Sequence, residues 1–232
     1  RLLLTLEHEG FVERDVDTGQ YQLGPTVLSL AGVSLNHNRI RAAATREMQL
    51  VARRLGLGVN LSVLHHDSIF YLGHVDSPDA PRPYTLLGRK NPLNATGMGK
   101  VLLANLPPRE QAHLVENLQL VAYTEQTITD REALASELDR VRRQGWALER
   151  DELALGRACI AGPIRDASGA TVAAMSFSGA NSAFRWSERR DELIGTIIEV
   201  TDSVSTNLGY VTAPPTSFGT TVSHAATDRD ER

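Results

Sequence analysis

Ala158-Cys159-Ile160-Ala161-Gly162-Pro163-Ile164-Arg165 and Thr171-Val172-Ala173-Ala174-Met175-Ser176-Phe177-Ser178-Gly179 are two strand-like runs on either side of Asp166-Ala167-Ser168-Gly169. Asp and Ser can bond their own backbone, and Gly takes a positive φ without steric cost, so the link reads as a tight hairpin turn. A turn this short joins antiparallel neighbours. Side chains alternate across a strand, which puts Ala174, Ser176 and Ser178 on one face and Met175 and Phe177 on the other. Residues 146–150 read as a further strand just upstream.

Working outward, Val59, Leu61 and Val63 alternate with Asn60, Ser62 and Leu64, and Ile69-Phe70-Tyr71-Leu72 returns after a His66-Asp67-Ser68 turn. Pro78, Pro81 and Pro83 mark an irregular loop. Between the two strand groups the pattern is helical. One helix is expected over about residues 96–105, and Pro107-Pro108 opens another. A third follows Thr129-Asp130-Arg131-Glu132, which reads as a capping box in which the Thr hydroxyl and Glu carboxylate each meet a free backbone donor. That helix buries Leu134, Leu138 and Val141 and stops at Gly145. A last helix starts at Ser187 and buries Ile194, Ile197, Thr201, Val204 and Leu208. Strands at both ends of a helical middle predict an α+β domain with an antiparallel sheet. The strand-helix alternation of a parallel doubly wound sheet is missing.

At the N-terminus, Leu2, Leu3 and Leu6 sit at helical spacing and predict an inward face, with Gly10 as the stop. Residues 11–14 and 20–23 follow as two short strands joined through Asp15-Val16-Asp17-Thr18-Gly19. Pro25 starts a helix carrying Val27, Leu28, Leu30 and Ala31. A second helix carries Ile40, Ala44, Met48, Val51 and Leu55 at steps of four, four, three and four, and ends at Gly56 or Gly58. The domain boundary is placed near residues 34–38. The tail from Pro214 is rich in Thr, Ser, Ala and charge and is expected to be disordered.

The chain has 232 residues, 41% hydrophobic and 22% charged, enough for a sizeable core. A net charge of -4 argues against a chain-wide nucleic-acid surface but leaves room for a local one. The single cysteine, Cys159, excludes an internal disulfide and suits a reducing cytoplasm. No apolar run approaches a membrane span, and no signal peptide is evident. The first residue is Arg1 rather than methionine.

Several residues invite a chemical reading. Thr96-Gly97-Met98-Gly99-Lys100 is a glycine-interrupted helix start whose free N–H groups suit an anionic or carbonyl ligand; tight helix-sheet packing explains the same glycines. It lacks the spacing of a phosphate-binding P-loop. Glu149-Arg150-Asp151-Glu152 reads first as a solvated loop. Cys159 reads as a small buried hydrophobe, and no neighbouring base would make it a nucleophile. Ser176 and Ser178 offer two hydroxyls on one strand face for a carboxylate or hydroxyl ligand; a solvated strand face is the plainer alternative. His65 and His66 point to opposite faces, and no HExxH, CxxC or EF-hand pattern occurs, so no metal, cofactor or catalytic group is expected. Arg14, with Thr18, Gly19 and Gln20 at the hairpin tip, could meet a phosphate backbone, or the hairpin is simply exposed.

The run from Arg1 to Asp15, followed by Thr18-Gly19-Gln20-Tyr21-Gln22-Leu23-Gly24, resembles the end of an IclR-family winged helix-turn-helix. Three further stretches resemble the effector domain of that family: residues 92–104, Tyr123-Thr124 with Thr127-Ile128-Thr129-Asp130, and residues 145–164 continuing into Gly169 and Ser176-Phe177-Ser178-Gly179. They occur in family order over residues 1–209. The resemblance implies a GAF-like antiparallel sheet flanked by helices, and a regulator whose operator binding is controlled by a small organic-acid-type effector. It implies a homodimer or homotetramer, double-stranded operator DNA as partner, no membrane and a cytoplasmic location. The expected divisions are 1–24 for the late recognition helix and wing, 25–37 for a linker helix, 38–209 for the effector domain and 210–232 for the tail. The earlier helices of the reader would lie upstream, so this chain alone is expected to bind DNA weakly. The implied effector positions are Gly97, Met98, Glu149, Cys159, Ser176 and Ser178. The implied DNA-contacting positions are Arg1, Arg14, Thr18, Gly19 and Gln20. A stand-alone ligand-binding module and a hydrolase on the same scaffold are the alternative readings.

Overall fold

The computed structural model describes residues 1–77 and 86–211. The expected proline-marked loop at Pro78, Pro81 and Pro83, and the tail from residue 212 on, lie outside the described residues.

The first elements are α1 (Leu2–His8), β1 (Val12–Arg14), β2 (Tyr21–Leu23), α2 (Pro25–Asn36) and α3 (Arg39–Leu55). β1 and β2 form a two-stranded antiparallel hairpin. Pro25 at the start of α2 gives up an N–H that would have no helical partner there. The side chain of Asn38 caps α3 by accepting from Arg41 N, and Gly56 ends it in the left-handed region at φ 68°. Only glycine enters that region freely.

The predicted inward face of α1 is corrected, and the apolar residues of α2 are likewise uncovered. Neither helix buries a residue, and Leu2 and Leu28 are 74% and 77% exposed. Spacing shows that a helix carries an apolar face, not what covers it.

The larger part is built on β3 (Gly58–His65), β4 (Ser68–Val75), β5 (Lys90–Pro92), β6 (Ala147–Arg150), β7 (Arg157–Arg165) and β8 (Thr171–Ala180). They form one six-stranded sheet in the order β5-β4-β3-β8-β7-β6, and every neighbouring pair is antiparallel. The Asp166–Gly169 turn closes the β7-β8 hairpin, with Gly169 N donating to Asp166 O at 2.9 Å. The α+β expectation holds. β5 escaped the sequence reading because it is short and ends in proline, which an edge strand tolerates.

Helices cover both faces. On one, α3 and the long α8 (Trp186–Asn207) pack on Val59, Leu61, Met175 and Phe177. α8 follows the short α7 (Asn181–Phe184). On the other face lie α4 (Gly97–Ala104), α5 (Pro108–Asn117) and α6 (Arg131–Gln144). Every residue of α4 is buried, and Leu134, Leu138 and Val141 of α6 pack there as the spacing predicts.

The capping box before α6 is corrected as well. The cap is Asp130, whose carboxylate accepts from Ala133 N at 2.8 Å, and Thr129 is not used. The first turn then starts one residue later, with Glu132 in it, where a negative charge suits the helix dipole.

Candidate functional site

The second face of the sheet is not filled. A hollow with an empty volume of about 520 Å³, its mouth included, lies between the start of α4, β3, β7, β8 and the loop that joins β6 to β7. Met98, Glu149, Cys159, Ser176 and Ser178 all line it, as do Asn60, Tyr71, Thr96 and Arg157. The strand register explains the convergence. Glu149 pairs with Cys159 across β6-β7, Cys159 with Ser178 across β7-β8, and Asn60 with Ser176 across β3-β8. Paired residues point to the same side of a sheet.

Gly97 borders the hollow behind Cys159. A Cβ on Gly97 would lie 2.9 Å from Cys159 Sγ and 3.3 Å from Ala161 Cβ. Gly97 thus leaves room for Cys159 and Ala161 to pack against the start of α4. Gly99 N is held by the Thr96 cap at 3.1 Å. A Cβ on Gly99 would fall 2.3 Å from Leu93 O, a backbone atom that cannot give way, so this glycine serves packing.

Glu149 is 5% exposed. Its Oε1 accepts from Glu152 N at 2.8 Å and Leu153 N at 3.2 Å. Burial nevertheless pushes its carboxyl above the usual range, the two backbone donors opposing only in part. Burial, with the Glu149 carboxylate beside it, also pushes the Cys159 thiol far up. A thiol held protonated is no nucleophile.

Four residues at or under the site were not singled out from the sequence. Lys100, 1% exposed, extends its ammonium to Glu152 Oε1 at 2.5 Å and Glu137 Oε1 at 3.6 Å. Glu152, itself 8% exposed, has its carboxyl raised chiefly by burial, with Lys100 pulling the other way. A lone lysine in the otherwise uncharged run Gly97-Met98-Gly99-Lys100-Val101-Leu102-Leu103-Ala104 was the available signal, since lysine is almost never buried unpaired. Asn60 donates from Nδ2 to Ser176 Oγ at 3.2 Å and Ser178 Oγ at 3.1 Å. His74 contacts Asn60 Oδ1 through Nδ1 at 2.8 Å. Asparagine in the core of an apolar strand was the clue there.

The β6-β7 loop that walls the hollow is tied down. Thr124 Oγ1 donates to Asp151 O at 2.6 Å and Thr127 Oγ1 to Glu152 O at 2.6 Å. Asp151, at φ 60°, accepts from Gly156 N and from Asn181 Nδ2. No cluster of His, Cys, Asp or Glu suited to a metal occurs among the described residues.

The DNA-contacting expectations fall on a separate unit. Arg1, Arg14, Thr18 and Gln20 are exposed, and Gly19 is half-buried. Arg14 Nε donates to Gly19 O at 3.3 Å across the base of the β1-β2 turn. Thr18 closes that turn by donating from N and Oγ1 to Asp15 Oδ1 at 2.7 and 2.8 Å. Those donors hold the Asp15 carboxyl below its usual range.

Comparison with known proteins agrees with this architecture. The family model for the C-terminal domain of bacterial transcriptional regulator IclR matches residues 33–206. The glycerol operon regulatory protein of Streptomyces coelicolor is 35% identical over 90% of this chain and 82% of its own length. The HTH-type transcriptional regulator KdgR of Escherichia coli is 32% identical over 90% of this chain and 80% of its own. Among solved structures, the IclR of Thermotoga maritima superposes with a TM-score of 0.79 at 29% identity, covering 90% of this chain and 83% of that one. A fold shared at this level, a family model spanning the whole six-stranded unit and relatives that are themselves regulators have one consequence: the chain belongs to the IclR family of bacterial transcriptional regulators.

Proposed function

We propose that the hollow on the α4 face is the effector site of this regulator, and that a small organic acid or related polar metabolite occupies it and controls operator binding. One observation carries the reading. Residues from five elements, Asn60, Met98, Glu149, Cys159, Ser176 and Ser178, converge on one buried hollow that mixes hydroxyls, a carboxyl and apolar walls. A concave, mostly apolar site with a few placed polar groups is what small-ligand binding requires.

A bound molecule that prefers one arrangement of the domain shifts its population. α3 and the preceding α2 connect the sheet unit to the hairpin of Arg14, Thr18, Gly19 and Gln20, and so could carry the shift to DNA. We place the regulator beside its operator in the cytoplasm, as a homodimer or homotetramer whose second copy covers the exposed Leu2, Leu28, Leu30 and Val33. A hydrolytic reading has no support, because Cys159 is held as a thiol and Ser176 faces an amide rather than a base.

The Streptomyces relative is named for a glycerol operon, which makes three-carbon polyols and acids the first probes. Calorimetry and thermal shift with glycerol, glycerate, gluconate and benzoate test the proposal. At least one should bind, and Ser178→Ala with Glu149→Gln should weaken it at least tenfold while the fold persists. Silence across the panel would sink the reading.

A further inference from the structure

Asp76, His74, Asn60 and the two serines form one file of hydrogen bonds from the end of β4 to the pocket wall. His74 Nε2 lies 2.8 Å from Asp76 Oδ1, and Nδ1 lies 2.8 Å from Asn60 Oδ1. Asn60 Nδ2 reaches Ser176 Oγ at 3.2 Å and Ser178 Oγ at 3.1 Å. The ring of His74 is 6% exposed and Asp76 is 37% exposed, so the file runs from a wet end to a dry one. Asn60 is 3% exposed, and Ser176 1%.

Counting donors and acceptors leaves two states, of which only the first satisfies every hydrogen of the Asn60 amide. A carboxylate only accepts, so Nε2 carries a hydrogen toward Asp76 in both. In the first state Nδ1 is also protonated and donates to Asn60 Oδ1. The two Asn60 N–H bonds then go one to each serine, and both hydroxyl hydrogens are left to donate into the hollow. In the second state Nδ1 is bare. The Asn60 amide turns over, one N–H donates to Nδ1 while the other has no acceptor within the file, and its oxygen accepts from both hydroxyls. The serines then present only lone pairs. The two amide orientations differ only in which terminal atom is called N or O. Nothing else in the file has to move.

We propose that His74, acting through Asn60, decides whether Ser176 and Ser178 donate or accept toward a bound molecule, so that binding a carboxylate draws a proton onto His74. This rests on the effector reading of the hollow. A carboxylate needs donors and selects the doubly protonated ring; the proton comes from the buffer and ends on Nδ1. A neutral polyol can meet either state. The other charged or titratable groups at the hollow are Tyr71 on β4, Glu149 on β6, and Arg157 and Cys159 on β7, with Lys100, Glu137 and Glu152 paired behind it. Of these Glu149 could also take up a proton, so the measurement has to locate it.

The test is calorimetry of glycerate and glycerol in buffers of different ionisation enthalpy, joined to 15N spectra of the His74 ring. With glycerate the observed heat should vary with the buffer, approaching uptake of one proton. Affinity should fall by up to roughly tenfold per pH unit once the free ring is neutral. The His74 ring should pass from one protonated nitrogen to two on binding. Glycerol should show neither effect, and His74→Gln should remove the buffer dependence. Glycerate binding with an unchanged His74 ring, or with uptake that survives in His74→Gln, overturns the relay but leaves the effector site standing. The spectra decide on the wild-type protein even if the variant fails to fold. If no molecule of the panel binds, the site itself falls, and the relay with it.

Discussion

The two faces of the six-stranded sheet are built from alternate residues of the same strands, yet they have opposite chemistry. On β3, Val59 and Leu61 meet α3 and α8, while Asn60 and Ser62 face α4. On β8, Met175 and Phe177 take the first side and Ser176 and Ser178 the second. On the α3-α8 side the buried polar groups are the short hydroxyls of Thr196, Thr201 and Ser205 on α8. The α4 face buries Asn60, Lys100, Glu149, Glu152 and Ser176. A mainly apolar face secures stability by removing carbon from water, about 25 cal/mol per Å². Buried polar groups cost free energy unless each finds a partner. They are tolerable on one face because the other supplies the surplus. The division of labour follows from the two-residue period of a strand.

The comparison can be broken most sharply at Phe177 and Ser178, one residue apart. Phe177→Ala should cost about 3–5 kcal/mol of unfolding free energy, while Ser178→Ala should cost under about 1 kcal/mol and act on ligand affinity instead. Chemical denaturation beside calorimetry separates the two. Equal stability losses would mean that the faces are not specialised.

Lys100→Met tests whether the polar face depends on its pairing. Removing the ammonium leaves the Glu152 and Glu137 carboxylates without it, at an expected cost of about 3 kcal/mol. Adding Glu152→Leu should recover much of that loss, since the uncompensated charge is what destabilises. A Lys100→Met protein as stable as wild type would show that the pair contributes nothing.

Glu149 gives a smaller effect with a definite sign. Its folded carboxyl is raised above 4.5, chiefly by burial, so the native state holds that proton to higher pH than the unfolded chain does. Its contribution to stability is therefore fully present below 4.5 and is lost as pH rises through the raised value. Glu149→Gln should flatten this part of the stability-pH curve, read as the melting temperature of each protein across pH 4 to 8. A curve that keeps its shape would assign the titration elsewhere.

The smallest effect is expected outside both faces. Arg14 is exposed, and its one hydrogen bond spans the hairpin base. Arg14→Ala should change stability by less than about 0.5 kcal/mol. It should lower the slope of log affinity against log salt for DNA by about one unit if Arg14 meets a phosphate. An unchanged slope would remove it from the interface.

The legibility of these parts was uneven. The β7-β8 hairpin could be read because turn chemistry and alternation are both local. So could the stripe of α6. The cap of α6 was misread by one residue because Thr129 and Asp130 are both good caps by type. Cys159, Ser176 and Ser178 were picked out by resemblance and strand parity. Asn60, Lys100 and Glu152 were passed over because their partners lie far along the chain, Asn60 and Ser176 being 116 residues apart, and His74 because its role comes through Asn60.

Alone, the sequence determined what is short-range: which segments are helix or strand, which side of each strand is polar, and where turns fall. Those features arise from steric and hydrogen-bonding preferences within a few residues. Tertiary structure alone decided which polar faces meet, that Gly97 packs against the Cys159 sulfur, and that Lys100 is buried. Burial and pairing depend on the neighbours the fold brings together, and no local pattern encodes the distance between strands 116 residues apart.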